Sequence, residues 1–585
     1  MPKQTNDDLL DLFTNLHFSE DFEFRKYQRE VIISILDFYD INPNGLYLLD
    51  APTGSGKSVI GFCVAGVLSF KQKSGYLLAS DIALQEQYEK DIQRSKLTWG
   101  SIKGVDNYIC DINFEKHSLG DCKIKNLKTN KIKQLPCYET CGYFSNRIKA
   151  MNSHVSLLNY SYWLIQRNYV APRITEEYEP FPIRDFIIAD EAHKITSIVQ
   201  SHFSPMITEK TRSKLEDFRE FLINEFNTNI PVQSEALRTV IKNLHAEDDK
   251  EKIQDLLKEF EMYLVVFLKM GLDVQKNLSK EYEDQEIPKF LLKGFRLADW
   301  IKDMHCKFED YNDIIKEIGP EAIVKNPSDK KIIFNCIDES FLMKKYFHNQ
   351  SKFRLLMTAT MGDPGNFARQ IDAKIEKDSL KYTRIPSLFN FEKSPIYVYT
   401  GKRMSYKHKE ETLPWVINKV RQILIKHPEH TGIIHSGSYK LTRDIYDSLA
   451  YKDQKRIILY ENSEEKKAAL IEFEKSKNKV LMGPSLLEGL DLKNDKSRFQ
   501  VFAKVPYPSL ADKFVKEKIK VSQDWYDWKS IIAILQGIGR SVRDENDWAI
   551  SYFLDGCLGD LINRNQSSFP DDFKQRMRLI STRKK

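Results

Sequence analysis

The hydrophobic positions of this chain fall into short unbroken runs, separated by stretches in which they recur every three to four residues. Near the start, "GLYLLDAPTGSGKSVIGFCVAGVL" sets an apolar run before a glycine-rich turn and then a helical pattern. "SGYLLAS" and "RDFIIADEAH" are further apolar runs that stop at polar residues. Runs of this kind, with helices between them, predict parallel strands buried on both faces. A second series begins near residue 395 with "SPIYVYT", "TGIIHSGS", "NKVLMGPS", "RFQVFAKVP" and "AISYFLD". "PWVINKVRQILIKH" and "WKSIIAILQGIGRSVR" supply helical stretches between these runs. The pattern predicts two α/β domains.

Between the two series, over roughly residues 200–340, the texture changes. "DKEKIQDLLKEFEMYLVVFLKM" places Ile253, Leu256, Leu257, Phe260 and Leu264 on one face at helical spacing, with charges on the other. This predicts a mostly helical insertion whose apolar stripe forms its own core. No internal repeat or long Gly/Ser linker interrupts the chain.

A length of 585 residues exceeds what one core supports and predicts three or four domains. With 41% hydrophobic and 29% charged residues, low-complexity and collagen-like classes are excluded. A net charge of +6 matters only where the positive residues cluster. No apolar run is long enough to span a bilayer, and "MPKQTNDDLLDLF" has no apolar signal core. The expectation is an intracellular protein, cytoplasmic or nuclear, whose thiols stay reduced.

"APTGSGKS" (Ala51–Ser58) is a Walker A loop with Ala51 at the position of the first glycine. Gly54 and Gly56 let backbone N–H groups close on the β- and γ-phosphates at a helix N-terminus. Thr53 and Ser55 belong to the same cradle, Lys57 is expected to neutralise phosphate charge, and Ser58 to help hold Mg²⁺. "DEAH" closes an apolar run with Asp190 expected in the Mg²⁺ shell and Glu191 expected to orient or deprotonate the attacking water. Paired acids at a strand end are costly unless a cation sits there. "QGIGRSVR" (Gln536–Arg543) supplies Gln536, Arg540 and Arg543, the two arginines three apart and so on one face if helical. Arginines delivered from a second domain stabilise charge on a transferring phosphoryl group.

Cys63, Cys306, Cys336 and Cys557 are scattered and expected to be inert, whereas Cys110, Cys122, Cys137 and Cys141 lie within 32 residues. That concentration favours metal over disulfides. The intervals of 11, 14 and 3 intervening residues are not diagnostic, and zinc, an iron–sulfur cluster and free thiols all remain open. Between these cysteines, Lys123, Lys125, Lys128, Lys131 and Lys133 form a stretch without an acid, read as phosphate contacts. The aromatic "NYSYW", with Tyr160 and Tyr162, reads equally as a base-stacking platform or as core.

Together these motifs resemble superfamily 2 helicases, and specifically the XPD/DinG group of iron–sulfur DNA helicases, over roughly residues 22–560. "FEFRKYQREVI" is similar to the adenine-recognition element, with Arg25 and Gln28 as its polar contacts. "SDIALQEQY" resembles the motif that touches DNA, through Gln85. "SIKGVDNYIC" and "CYETCGYFSNRIKAMNSHVSLLNYSYWL" resemble the entry to and exit from the cluster domain. "LLMTAT" resembles the motif coupling ATP to DNA, and "LMGPSLLEGLDLKND" carries Glu488, Gly489 and Asp491 of a second-domain motif. Departures from the pattern fall at Val105, Asn494 and the loose "IIHSGSY".

The resemblance implies two RecA-like motor domains with an iron–sulfur insertion and a helical Arch insertion in the first. The segments are then 1–104, 146–199 and 346–390 for the first motor domain, 105–145 for the cluster, 200–345 for the Arch and 391–585 for the second motor domain. It implies ATP, Mg²⁺ and a [4Fe–4S] cluster on the four cysteines, acting as a structural brace. It implies a monomer moving 5′ to 3′ on single-stranded DNA and opening forked duplex, with repair or replication partners. An RNA or RNA–DNA hybrid helicase and a non-unwinding ATP-binding scaffold are the alternatives. No room is expected for an exonuclease ahead of the motor motifs.

Overall fold

The computed structural model describes residues 4–120, 122, 132–170, 180–228, 230–231, 233–282, 288–328, 330–373, 379–387, 391–484, 494–539, 541–542 and 547–582. Strands and helices alternate as the hydrophobic runs predict and assemble into two parallel sheets of seven strands each. β1 (Leu46–Asp50), β2 (Gly75–Ala79), β3 (Gly100–Ser101), β4 (Val155–Asn159) and β5 (Arg184–Ala189) open the first sheet. The chain then leaves that sheet for an excursion carrying β6 (Met206–Thr208), β7 (Ile323–Ser328) and β8 (Lys331–Cys336). It returns with β9 (Ser351–Thr358) and β10 (Leu380–Arg384), giving the order β10-β1-β9-β5-β2-β4-β3.

Unbroken apolar runs are what a strand covered on both faces requires, and β1, β2 and β4 are buried at every residue. Register then decides which polar strand ends meet. β1 lies between β9 and β10, and Asp50 pairs with Thr358 on one side and Arg384 on the other. The Walker loop, the end of "LLMTAT" and Arg384 are thereby brought to one edge of the sheet.

The excursion is helical, as its periodicity predicts, with long helices at Lys250–Glu281 and Leu292–Ile318. Ile253, Leu257, Phe260 and Leu264 are buried and Leu256 is half-buried. One feature departs from the helical expectation: β6, β8 and β7 form a three-stranded antiparallel sheet at its base.

The second sheet comprises β11 (Ile396–Thr400), β12 (Gly432–His435), β13 (Ile457–Leu459), β14 (Val480–Gly483), β15 (Phe499–Phe502), β16 (Ile550–Phe553) and β17 (Met577–Ser581). Its order is β13-β14-β12-β15-β16-β11-β17. The helix Gln523–Ile538 carries this domain onto the first: Trp528 Nε1–H donates to the Met361 carbonyl at 2.9 Å. Among the described residues no helix is long and apolar enough to cross a membrane.

Candidate active site

The Walker loop leaves β1 and enters the helix Lys57–Phe70, with Gly54 and Gly56 at φ of 85° and 77°. These left-handed conformations favour glycine, and at Gly56 space forbids a side chain as well. A Cβ there would lie 2.2 Å from Gln28 Nε2. Gln28 donates to the Ser55 carbonyl at 2.9 Å, and the Arg25 guanidinium donates to the Gly54 carbonyl. Both residues therefore brace the loop backbone from behind. Lys57 Nζ rests 3.5 Å from the Ala51 carbonyl, and the Ser58 hydroxyl hydrogen-bonds Tyr88.

Asp190 closes β5 and is 3% exposed. Tyr88 donates to its Oδ2 at 2.7 Å and the Glu191 N–H to its Oδ1 at 2.8 Å. Burial pushes the Asp190 carboxyl up, Lys57 opposes that rise and Glu191 adds to it. A buried carboxylate so placed, between a lysine and a second acid, fits a divalent cation, which would reverse the burial penalty. Glu191 takes a left-handed backbone (φ 52°) that turns its side chain back toward His193. His193 Nδ1 lies 3.3 Å from the Glu191 carboxylate and 2.8 Å from Thr358 Oγ1. Burial depresses His193 to about 4, so its ring is neutral at pH 7. Thr358 Oγ1 also accepts from the Thr360 N–H at 3.1 Å. One histidine thus joins "DEAH" to "MTAT".

These groups face a cleft of about 210 Å³, walled by Thr53, Glu191, His193 and Thr360 from the first domain and by Gln536 and Gly539 from the second. A Cβ on Gly539 would sit 3.6 Å from Thr53 Oγ1, so the helix end closes directly on the Walker loop. The helix stops at Ile538. Arg540, Arg543, Glu488, Gly489 and Asp491 lie outside the described residues, as do Lys123, Lys125, Lys128 and Lys131.

Gln85, expected to touch nucleic acid, lies inside the first domain, and of the two readings of Tyr160 and Tyr162, stacking platform or core, burial favours core. Gln85 is fully buried, donating to the Ile102 carbonyl at 2.9 Å and accepting from Asn159 at 3.0 Å. Tyr160 is fully buried with its hydroxyl on the Asp190 carbonyl at 2.8 Å. Tyr162 is 5% exposed and its hydroxyl lies 3.3 Å from that of Tyr143. A base cannot stack on a ring already enclosed by protein, nor reach an amide whose groups are buried and paired, so these side chains serve the core of the first domain. Lys133 is exposed.

Cys110, Cys122 and Cys141 are buried, Cys137 is half-buried, and none is in a disulfide. Burial and the neighbouring Cys141 and Cys110 push the Cys137 thiol up. Sequence reasoning missed His117, whose Nε2 lies 3.3 Å from Cys141 Sγ and whose ring centre lies 4.7 Å from that of Tyr143, tilted by 34°. Among the described residues no group of three or more His, Cys, Asp or Glu side chains is arranged to hold a metal ion. Four reduced thiols in one segment are the donor type an iron–sulfur cluster takes, but the described residues do not gather them into a ligand set.

This segment also reaches the helical excursion. Glu115 pairs with Arg296 at 3.1 Å, and Leu119 packs with Leu291, Leu292 and Phe295. An opening of about 540 Å³ lies between the two, lined by Asp106, Tyr143, Gln166, Gly271 and Lys302.

Two seven-stranded parallel sheets facing each other across a Walker loop, an acidic pair and a helix end constitute a nucleotide-hydrolysing motor of the RecA-like kind. Two family models match parts of the chain: helicase C-terminal domain over residues 420–576, and type III restriction enzyme, res subunit, over residues 21–227. The S. tokodaii Xpd4 structure is similar at 14% identity and a TM-score of 0.59, covering 95% of this chain and 100% of that one. An XPD helicase structure aligns with a TM-score of 0.61 at 15% identity, covering 96% of this chain and 100% of that one. The ATP-dependent DNA helicase YoaA of Haemophilus influenzae is 21% identical over 465 residues, or 72% of this chain and 67% of YoaA. The chain therefore has the fold of the XPD structures and carries a helicase C-terminal domain, and with the motor site between its two sheets it is an ATP-hydrolysing helicase.

Proposed function

We propose that the protein is an ATP-dependent DNA helicase that moves 5′ to 3′ along one strand and opens duplex at a fork. The observation that carries this is the shared cleft, in which "APTGSGKS", "DEAH", "MTAT" and Gln536 meet across the two motor domains. Lys57, at the first turn of its helix, neutralises phosphate charge together with the helix N-terminus. Asp190 and Ser58 would hold Mg²⁺, which when bound neutralises phosphate oxygens and fixes their geometry. Glu191 orients the attacking water and takes up its proton. His193 Nδ1 lies against both the Glu191 carboxylate and Thr358 Oγ1, so a change at the hydrolytic acid is passed to the strand end that leads to Met361 and Trp528. Arg540 and Arg543 are assigned to the charge on the transferring group.

Cys110, Cys122, Cys137 and Cys141 would hold a [4Fe–4S] cluster, which when bound braces the segment covalently. The opening between that segment and the helical excursion offers a path for a single strand, with Lys133 and the neighbouring lysines assigned to its phosphates. DNA repair or replication is the process this activity serves. The test is ATP turnover with single-stranded DNA or RNA added in turn. DNA should stimulate strongly and RNA weakly; equal or greater stimulation by RNA would favour the RNA-helicase alternative, and negligible stimulation by either would favour a scaffold.

A further inference from the structure

Directly behind the Walker loop stands a buried carboxylate that the hydrolytic scheme does not use. Asp50 ends β1, is 2% exposed and immediately precedes Ala51. Burial pushes it up to about 6, with Arg384 and Lys57 opposing the rise and Asp572 adding to it. A negative charge at this point works against binding of nucleotide phosphates at Lys57 unless a cation answers it.

That cation is placed by strand register. β10 pairs with β1 in parallel so that Arg384 stands opposite Asp50, and the Arg384 guanidinium lies 3.5 Å from Asp50 Oδ2. Its other nitrogen lies 3.8 Å from Asp572 Oδ1, on the helix Asp571–Arg576 of the second domain. Tyr382, two residues back on β10, also hydrogen-bonds the guanidinium. Arg384 is 35% exposed and Asp572 24%, so the arm to Asp572 reaches toward solvent while the arm to Asp50 is enclosed.

We propose that Arg384 links occupancy of the phosphate site to the second motor domain by dividing its guanidinium between Asp50 and Asp572. The inference rests on Lys57 being the phosphate ligand. When phosphates engage Lys57, its field is shared with them and Asp50 loses part of its counter-charge. Arg384 then moves onto Asp50 and loosens from Asp572. Binding and this one contact, Arg384 to Asp572, are therefore opposed, and by reciprocity loosening it favours binding.

The experiment is calorimetric titration of Mg·ADP into the full chain. Asp572→Asn frees Arg384 for Asp50 and should tighten ADP about threefold, the size expected of an exposed ion pair. Arg384→Gln removes the main counter-charge of Asp50 and should weaken ADP about tenfold when the titration is run at about pH 8.5, where the carboxyl stays ionised. Adding Asp50→Asn to Arg384→Gln should restore affinity to within about twofold, an effect that a merely structural role of Arg384 does not produce. Unchanged or weaker binding by Asp572→Asn, or a double variant no better than Arg384→Gln, overturns the proposal. Should Arg384→Gln fail to fold, Asp572→Asn decides alone. Lys57→Ala is the separate control: normal ADP binding by that variant would remove the phosphate-site reading itself.

Discussion

Replacing Lys518 with methionine should undock the second motor domain from the base of the helical insertion. Lys518 lies on the helix Lys513–Val521, is buried, and donates to the Ile337 carbonyl at 2.6 Å. Its Nζ is 3.6 Å from the Glu339 carboxylate, the two side chains being 7% and 4% exposed. Methionine keeps much of the length but leaves Glu339 without that cation. Breaking one side of a buried pair costs about 3–5 kcal/mol. Lys529 also acts on Glu339 across the same interface, which places the expected cost near the lower end, at about 3 kcal/mol. Other polar ties across this interface, among them Asn326 to Asp512 at 2.9 Å, the Lys513 N–H to Asn326 at 3.2 Å and Lys513 to Asp248 at 2.9 Å, are more exposed and weaker. Amide hydrogen exchange in segments 323–337 and 513–521 should then accelerate about a hundredfold, while β1, β5 and β9 keep their protection. Lys518→Met with Glu339→Gln should recover most of the protection, because the buried charge leaves with its partner. Unaltered exchange in both segments of the single variant would refute the reasoning.

Lys57→Ala should abolish ATP turnover and leave single-stranded DNA binding largely intact, read by phosphate release and by fluorescence anisotropy. Cys137→Ser should lose bound iron, measured with the colour of protein purified without oxygen, and lose unwinding while keeping some DNA-stimulated ATPase; a zinc-containing, colourless wild type would contradict the cluster assignment. His427 is buried, lies 3.0 Å from the Tyr552 hydroxyl, and is depressed to about 4, burial first and the charges of His430 and Lys426 after it. The unfolded chain protonates near 6.5 and the folded one resists, so this histidine costs nothing above that pH and about 2 kcal/mol between pH 7 and pH 5. His427→Phe should therefore flatten the acid loss of stability, measured as the urea midpoint of the second domain at the two pH values.

Most strands buried on both faces were legible in the sequence, because an unbroken run such as "YLLD" or "FIIA" has few other readings, although the equally buried β4, "VSLLN", was not among the runs read. β13 and β17 escaped notice for opposite reasons. β13 is only three residues long, and β17 is longer but has no buried position in "MRLIS". The antiparallel sheet of the insertion was hidden because "IVKNPS" and "KIIFNC" mix polar and apolar residues without helical or strict strand period. At the site, local motifs announced their own residues, whereas groups joined only by register or packing gave no local sign. Asp50 and Arg384 are 334 positions apart and meet because β10 closes beside β1. His117 meets Cys141 through a turn held by the Cys110 N–H on the Glu115 carbonyl at 2.8 Å. Gln85, Tyr160 and Tyr162 show the converse: polar and aromatic residues beside a motif are as well suited to satisfying its backbone as to touching a ligand.

Strand separation on forked DNA tests the central claim most directly. With ATP and Mg²⁺, a duplex bearing a 5′ single-stranded tail should be unwound, one bearing only a 3′ tail should not, and a non-hydrolysable analogue should support neither. No strand separation from either tail, by folded protein that still hydrolyses ATP, would contradict the account.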